Sequence, residues 1–216
     1  GLSFRPIDND EKIEVVPPLL RQQVKSIVPK AGERWLAYLT HFRLSEDIMN
    51  WSNANPDVKL DCFWDNPARK ETYHYSDSLT FHPIDAENYL AKMTECAGLI
   101  STAGFESVAE AMYLGKPAMM VPVPNHIEQM INAFDGEMSG AGIGASSFDL
   151  SIFKKYLPSH VSVQNQYQEW VAKSQSLMAG HLSELIAQPV YVANFRENQG
   201  TGLSGMLGRR RFRWSR

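Results

Sequence analysis

The sequence predicts a Rossmann-like, doubly wound α/β domain with a parallel sheet of about six strands. Short apolar runs alternate with segments of helical periodicity, a pattern typical of βαβ units in parallel sheets. One unit is complete, with an apolar run at 97–100, a small-residue turn ending at Gly104, a helix of about ten residues, and a second apolar run at 118–121. Because open α/β sheets bind ligands at the carboxyl ends of their strands, we expect a functional site beside Gly104.

Six apolar runs define the predicted strands. They occupy residues 35–40, 58–64, 79–82, 97–100, 118–121 and 145–148. Their short length and the Gly, Pro and Asn residues that flank them favour buried strands over helices. The glycine-rich run at 140–144 is predicted to be a turn that leads into the last strand.

Helical periodicity and end signals define the predicted helices. They occupy residues 44–54, 85–96, 105–114, 127–138 and 163–187, with a further short helix after residue 149. Asp85 is a good N-cap, and Asp149 or Ser151 caps the short helix. Gly115 ends the third helix, and Pro189 ends the last one, which has a long amphipathic face.

Composition and charge define the class of protein. The chain has 216 residues, 44% of them hydrophobic and 21% charged, which suits one compact domain with a sizeable core. The formal net charge of −3 creates no general attraction to nucleic acid, so no nucleic-acid partner is expected. No run approaches the ~20 apolar residues of a membrane span, and we expect a cytoplasmic protein with at most peripheral contact at the inner membrane face.

Three segments are expected along the chain. Residues 1–30, with four prolines and little periodicity, are predicted to be an interdomain linker. Residues 31–188 form the domain, and residues 189–216 form a C-terminal helix and a basic tail. The tail carries five arginines with Phe212 and Trp214 between them. It is either a disordered, solvated end or a contact for anionic lipid or nucleic acid.

The cysteines and histidines indicate no special chemistry. Cys62 and Cys96 lie in or beside apolar runs without CxxC spacing. Reduced, buried thiols are therefore expected, with a disulfide as the alternative. The six histidines show no HxxxH or Cys/His spacing, so no metal site is predicted.

The turn that ends at Gly104 has the chemistry of an anion site. Backbone N–H groups at a helix start lack partners within the helix, and the helix dipole favours negative charge there. Residues 104–107 would supply these N–H groups, and the Ser107 hydroxyl adds a donor. The alternative is that Gly104 only permits a sharp turn from strand to helix.

The run TAGFESVAEAMYLGKP at 102–117, followed by VPVP and EQMINA, resembles the donor-binding half of GT-B glycosyltransferases. The resemblance is strongest to a bacterial and archaeal group of glycosyltransferases, and it covers residues 81–133. It is more distant to the enzyme that adds N-acetylglucosamine to the lipid-linked peptidoglycan precursor and to UDP-glucuronosyltransferase-like proteins. Several motifs in a fixed order make it more specific than any lone glycine motif.

The resemblance implies a nucleotide site around the Gly104 turn. Its nucleotide- and phosphate-binding residues would be Thr102, Ala103, Gly104, Phe105, Glu106, Ser107, Glu110, Ile84 and His41. Glu110 would accept hydrogen bonds from the ribose hydroxyls, for which a carboxylate is suited, and Ile84 would contact the base. Glu106 either takes part in the site or favours the helix dipole, and His41 either contacts a phosphate or is structural.

The resemblance also implies a site for the donor sugar. Glu128 and Gln129 would bind its hydroxyls, together with Asn125. The alternative is that Glu128 is an ordinary helix-start acid and that Gln129 is a solvent-exposed amide. Asn125 and His126 stand where the family often has Gly or Gln, so the sugar selectivity of relatives does not carry over.

The reaction implied is transfer of a hexosyl group, with inversion, from a UDP-sugar or similar donor to an unknown acceptor, lipid-linked or glycan. No metal or other cofactor is implied, because the helix dipole stabilises the leaving diphosphate. The catalytic base would belong to an N-terminal GT-B half outside these residues, so the chain alone is expected to bind donor without turnover. The alternatives are a non-hydrolysing UDP-sugar 2-epimerase and a degenerate, non-catalytic binding module.

Overall fold

The computed structural model describes residues 1–8 and 13–187. Its strands are β1 (Trp35–Leu39), β2 (Leu60–Trp64), β3 (Tyr73–His74), β4 (Leu79–Pro83), β5 (Gly98–Ser101), β6 (Ala118–Met120) and β7 (Gly142–Gly144). They form one sheet in the spatial order β3-β4-β2-β1-β5-β6-β7. Each neighbouring pair is parallel except β3 with β4. The strand order reverses direction at β1, which lies between β2 and β5.

Helices cover both faces of the sheet. They are α1 (Gln22–Lys25), α2 (Ser45–Ala54), α3 (Ala86–Glu95), α4 (Phe105–Tyr113), α5 (Ile127–Met138), α6 (Leu150–Tyr156), α7 (Gln164–Ala172) and α8 (Ser174–Ala187). Short 3-10 turns precede α2 and follow α6. Along β1, Leu36 belongs to one core cluster, whereas Trp35 and Ala37 belong to the other. The helices α3, α4 and α7 pack on the Leu36 face, and α2 and α6 pack on the opposite face, so the doubly wound prediction is confirmed.

The last strand of the sheet lies three residues earlier than predicted. β7 occupies the glycine-rich run that the sequence marks as a turn, and residues 145–148 are not a strand. The physical reason is close packing, because a Cβ on Gly142 would overlap the backbone of Ala118 on β6. The antiparallel edge strand β3 was also not predicted, since two residues are too few to show a period.

The predicted helix at 163–187 is two helices. It breaks at Lys173, which lies between α7 and α8. α7 buries Tyr167, Trp170 and Val171 against the core, whereas Ser174 is the buried residue of α8. The prediction of one long helix packed on the domain is therefore correct for α7 and wrong for α8, whose apolar residues Leu182, Leu185 and Ile186 are exposed.

Residues 1–8 and 13–30 share the core of the domain. Phe4 is buried and stacks on Phe105, with ring centroids 4.5 Å apart. The Ser3 hydroxyl and the Phe4 N–H each donate to Asp135 at 2.8 Å. Val24 of α1 is fully buried. The boundary at residue 30 stays a prediction, but a linker with these contacts is fixed to the domain along much of its length.

Several further predictions can be compared with the structure. Cys62 and Cys96 are free and buried, as expected for reduced core thiols. Within the described residues, no helix is long and apolar enough to cross a membrane. The predicted C-terminal helix and the arginine-rich tail at 189–216 lie outside the described residues.

The buried position of Phe4 leads to a stability prediction. Phe4→Ala removes a buried aromatic ring, and we expect it to lower the free energy of unfolding by about 3 kcal/mol. Leu2→Ala is the control, because the Leu2 side chain is exposed, and its effect should stay within about 0.5 kcal/mol. Urea unfolding followed by far-UV circular dichroism measures both. Equal stability of the two variants would mean that the N-terminal segment is not part of the cooperative unit.

Candidate functional site

A cavity of about 500 Å³ opens at the carboxyl ends of the strands, next to the first turn of α4. Tyr38 near the end of β1, Phe63 near the end of β2 and Ile84 after β4 line it. The complete lining is Leu19, Leu20, Arg21, Tyr38, Phe63, Ile84, Asp85, Ala86, Tyr89, Glu106, Ser107 and Glu110. The cavity therefore lies where the ligand sites of open α/β sheets are found.

Three aromatic rings form the apolar wall of this cavity. Tyr89 meets Tyr38 edge-on at 5.2 Å and Phe63 edge-on at 5.3 Å between ring centroids. Burial raises the pKa of Tyr89 well above its usual range, so its phenol stays neutral at physiological pH. The wall is apolar, and its rings can pack against a planar group.

The first turn of α4 is open to a ligand. Gly104 is its N-cap residue, and within the described residues no side chain caps the helix. Gly104 has φ −66° and ψ 129°, a conformation that any residue adopts. A Cβ at Gly104 would meet no atom within 4 Å. The local backbone therefore does not require glycine here, and the space beside it is free for close approach of a ligand.

The strain of the turn falls on the preceding residue. Ala103 is in the left-handed region with φ 59°, which costs a non-glycine residue roughly 1 kcal/mol. Asn132 of α5 holds it by donating from Nδ2 to the Ala103 carbonyl at 3.0 Å, and the Ala103 N–H donates to the Ser101 hydroxyl at 3.1 Å. Beside it, the Thr102 hydroxyl is buried and has no partner among the described residues. The turn is thus fixed from α5 and leaves one hydroxyl unpaired.

Glu110 is buried, and its charge is met by Arg21. Nε of Arg21 donates to Oε1 of Glu110 at 2.6 Å, and Nη2 donates to Oε2 at 2.9 Å. Hydrogen bonding to Glu110 raises the pKa of Arg21, and the negative charge of Glu106 adds to this effect. This pairing explains how two carboxylates one helical turn apart coexist at the same cavity. Arg21 was not predicted, because no local motif in the sequence marks it.

The predicted residues divide between the cavity and its surroundings. Ile84, Glu106, Ser107 and Glu110 line the cavity together. Phe105 does not line it, because its ring packs on the N-terminal segment.

The residues predicted for the donor sugar lie outside the cavity lining, and so does His41, the predicted phosphate contact. Gln129 is buried, and its Oε1 accepts from the Val123 N–H at 2.9 Å, so the reading of a solvent-exposed amide is wrong. Glu128 and Asn125 are exposed, and Asn125 has φ 66°. His41 is exposed, and its Nδ1 accepts from the Arg43 N–H at 3.1 Å.

A second charged cluster, also missed by the sequence analysis, surrounds Asp61 on β2. Oδ1 of Asp61 pairs with Nε2 of His82 at 2.7 Å and with Lys92 at 3.4 Å, and Oδ2 accepts from Nε of Arg34 at 2.6 Å. Burial alone would raise the pKa of Asp61. Hydrogen bonds from His82 and Arg34 outweigh burial, so the pKa lies well below its usual range. Neither Asp61 nor its partners line the cavity beside α4, whereas Asp61, Arg34 and Lys92 line a separate cavity of about 490 Å³.

The fold of this chain is similar to that of solved glycosyltransferase structures. It matches the glycotransferase of kitacinnamycin with a TM-score of 0.55 at 16% identity, over 82% of this chain and 50% of that one. It matches LpCGTa in complex with UDP with a TM-score of 0.54 at 14% identity, over 81% and 48%. It matches VinC in complex with DTDP with a TM-score of 0.51 at 16% identity, over 82% and 48%. The fold is that of a GT-B glycosyltransferase domain, as the sequence predicted.

The chain belongs to glycosyl transferase family 1, whose model matches residues 2–159. It is 33% identical over 92 residues to the UDP-N-acetylglucosamine--N-acetylmuramyl-(pentapeptide) pyrophosphoryl-undecaprenol N-acetylglucosamine transferase of Lactobacillus acidophilus, covering 41% of this chain and 25% of that protein. The protein of the same name in Lactobacillus delbrueckii subsp. bulgaricus is 35% identical over 79 residues, or 36% of this chain and 21% of that one. The chain spans about half the length of the solved structures that it matches.

The Asp61 cluster leads to a prediction on acid stability. The depressed pKa of Asp61 means that its stabilisation is present above the unfolded-state pKa of about 4 and is lost as the pH falls below it. Asp61→Asn should cost about 3 kcal/mol at pH 7, because Arg34 and Lys92 lose their counter-charge. The difference from the wild type should shrink as the pH falls below about 4.

Urea unfolding at a series of pH values measures this effect. Asp57→Asn is the matched control, because Asp57 pairs with Lys154 at the exposed surface, and it should change stability little at any pH. A difference between wild type and Asp61→Asn that stays constant from neutral to acid pH would contradict the assignment of the effect to the charge of Asp61.

Proposed function

We propose that this chain is the donor-binding domain of a glycosyltransferase that transfers a hexosyl group from a UDP-sugar or similar nucleotide sugar. The observation that carries the proposal is the cavity at the carboxyl ends of the strands. It joins a buried carboxylate, Glu110, to an apolar wall and to the uncapped first turn of α4. Membership of glycosyl transferase family 1 supports transfer over 2-epimerisation.

The cavity suits the nucleoside part of the donor. Its aromatic wall and Ile84 offer an apolar slot for a base, and Glu110 offers acceptors to the ribose hydroxyls. Its charged groups are Arg21, Asp85, Glu106 and Glu110, so carboxylates outnumber the single guanidinium. Such a balance favours neutral hydroxyl donors and disfavours a phosphate deep inside.

The diphosphate fits outside this slot, at the first turn of α4. The open space at Gly104 allows phosphate oxygens to approach the backbone N–H groups, and the helix dipole favours their charge. The unpaired hydroxyl of Thr102 adds a candidate donor. The same groups would stabilise the diphosphate as its charge develops during bond cleavage, without a metal ion.

The sugar would extend towards the start of α5. Gln129 is fixed there by its bond to Val123, and Glu128 and Asn125 present polar groups at the surface. We propose that these side chains bind the sugar hydroxyls. The neighbouring Asn132 links α5 to the Gly104 turn through Ala103, so the diphosphate and sugar positions are held in one rigid arrangement.

The remaining parts of the reaction would come from elsewhere. We propose that the catalytic base and the acceptor site belong to a second, N-terminal GT-B half, and that transfer inverts the anomeric carbon. The curated relatives are named for transfer to a pyrophosphoryl-undecaprenol, which supports a lipid-linked acceptor over a free glycan. A cytoplasmic enzyme in peripheral contact with the inner membrane face would meet both substrates.

The open space at Gly104 leads to a binding prediction. In Gly104→Ala the added methyl group occupies the space that the diphosphate needs, and we expect UDP affinity to fall by roughly 1–2 kcal/mol. Stability should not fall, because φ is ordinary and the methyl group meets no protein atom. Titration with UDP followed by ¹H–¹⁵N NMR measures affinity, and thermal unfolding measures stability.

Gly180→Ala is the matched control for this experiment. A Cβ at Gly180 also meets no atom within 4 Å, and Gly180 lies within α8, a different helix from the one that would hold the diphosphate. Its UDP affinity should equal that of the wild type. If Gly104→Ala bound UDP as tightly as Gly180→Ala, the diphosphate could not lie against Gly104.

The assignment of Glu110 to the ribose leads to a second binding prediction. Glu110→Gln should weaken UDP binding by about 1–3 kcal/mol, because charged hydrogen bonds to the ribose are lost. Binding of pyrophosphate, which has no ribose, should change little. Glu87→Gln in the first turn of α3 is a surface control. Equal losses for UDP and pyrophosphate would show that Glu110 acts through folding and not through ribose.

A further inference from the structure

We infer that Arg21 is a positioning residue that holds the Glu110 carboxylate in the orientation that receives the ribose, an inference that rests on the function proposed above. The contact is two-pronged, with donor–acceptor distances of 2.6 Å and 2.9 Å to the two oxygens of Glu110. Two parallel hydrogen bonds fix the plane of a carboxylate, whereas a single bond leaves it free to rotate.

The pairing leaves Glu110 able to bind a ligand. Each carboxylate oxygen has two lone pairs, and the guanidinium of Arg21 uses one on each. One acceptor position therefore remains on each oxygen. The guanidinium takes the positions between the two oxygens, so the position that remains on each oxygen points outward. A ribose hydroxyl can donate to such a position, provided that the carboxylate does not turn away.

Charge and burial explain why Glu110 needs this partner. Its side chain is 8% exposed, whereas that of Arg21 is 37% exposed. Glu106 lies one turn earlier on α4 and lines the same cavity. Without Arg21, the carboxylate of Glu110 would be buried beside a like charge, and it would gain by turning away from Glu106 towards water.

Arg21 is held in place independently of the ligand. It directly precedes α1, whose Val24 is fully buried in the core cluster that also contains residues of α4. The neighbouring Leu19 and Leu20 line the cavity as well. Arg21 thus belongs to a segment that packs on the domain, so the fold itself places its guanidinium beside Glu110.

The test compares two ligands that differ only in the ribose hydroxyls, UDP and 2′,3′-dideoxyuridine diphosphate. Arg21→Gln should weaken UDP binding about tenfold, the change expected when a charged hydrogen-bonding arrangement is lost. Binding of the dideoxy analogue should change less than about twofold, because this ligand has no ribose hydroxyl that could donate to Glu110. NMR titration of the 216-residue chain measures both affinities.

Three further variants separate positioning from folding. Arg21→Lys keeps the charge but not the two-pronged contact, and it should recover only part of the UDP affinity. The double variant Arg21→Gln with Glu110→Gln should bind UDP no worse than Glu110→Gln alone, because Arg21 acts through Glu110. Arg5→Gln is the matched control. Arg5 lies on the same N-terminal segment as Arg21, pairs with Asp135 of α5, and does not line the cavity.

The outcomes distinguish this inference from the proposed function. If the wild type bound no UDP, the proposed function would fail and the inference would fail with it. If Glu110→Gln lost UDP and the dideoxy analogue equally, the assignment of Glu110 to the ribose would fail, and the inference with it. If Glu110→Gln behaved as expected but Arg21→Gln bound UDP normally, only the inference would fail. Equal loss of both ligands in Arg21→Gln, or additive losses in the double variant, would likewise overturn it alone.

Discussion

A carboxylate that leaves water must find a cation or hydrogen-bond donors, and Glu110 finds Arg21, 89 residues earlier in the chain. This requirement joins the N-terminal segment to α4, the helix whose first turn borders the cavity. The same segment adds Phe4 to the core beside Phe105. The segments at 1–8 and 13–30 therefore contribute both a charge at the cavity and apolar packing against α4, and moving them would disturb that helix.

The rest of the site follows from the way that α4 and α5 meet. Ala103 adopts a left-handed conformation, and the bond from Asn132 fixes its carbonyl from α5. The next residue, Gly104, has an ordinary backbone conformation, and the space beside its Cα is open. Gln129, one turn before Asn132, is held by Val123. The turn at Ala103 and Gly104, which α5 supports, thus sets the spacing between the proposed diphosphate and sugar positions.

Most of the fold was predictable because it depends on local patterns. The alternation of apolar runs and amphipathic helices located β1, β2, β4, β5 and β6 and the helices between them. It failed at β7, because glycine is usually a sign of a turn, whereas Gly142 is required by contact with Ala118 on the adjacent strand. It also failed at α8, because an apolar face in a sequence does not reveal whether any part of the molecule covers it.

The sequence by itself determined the residue types of the candidate site: a glycine before a helix start, an acid at residue 110, and an acid–amide pair at the start of α5. These positions are encoded within short stretches whose spacing is set by strand and helix geometry. Only the tertiary structure decided which charges meet. The pairing of Arg21 with Glu110 and of Asp61 with Arg34 and His82 joins distant segments, and the free energy of such pairs depends on burial and distance, which no local pattern records.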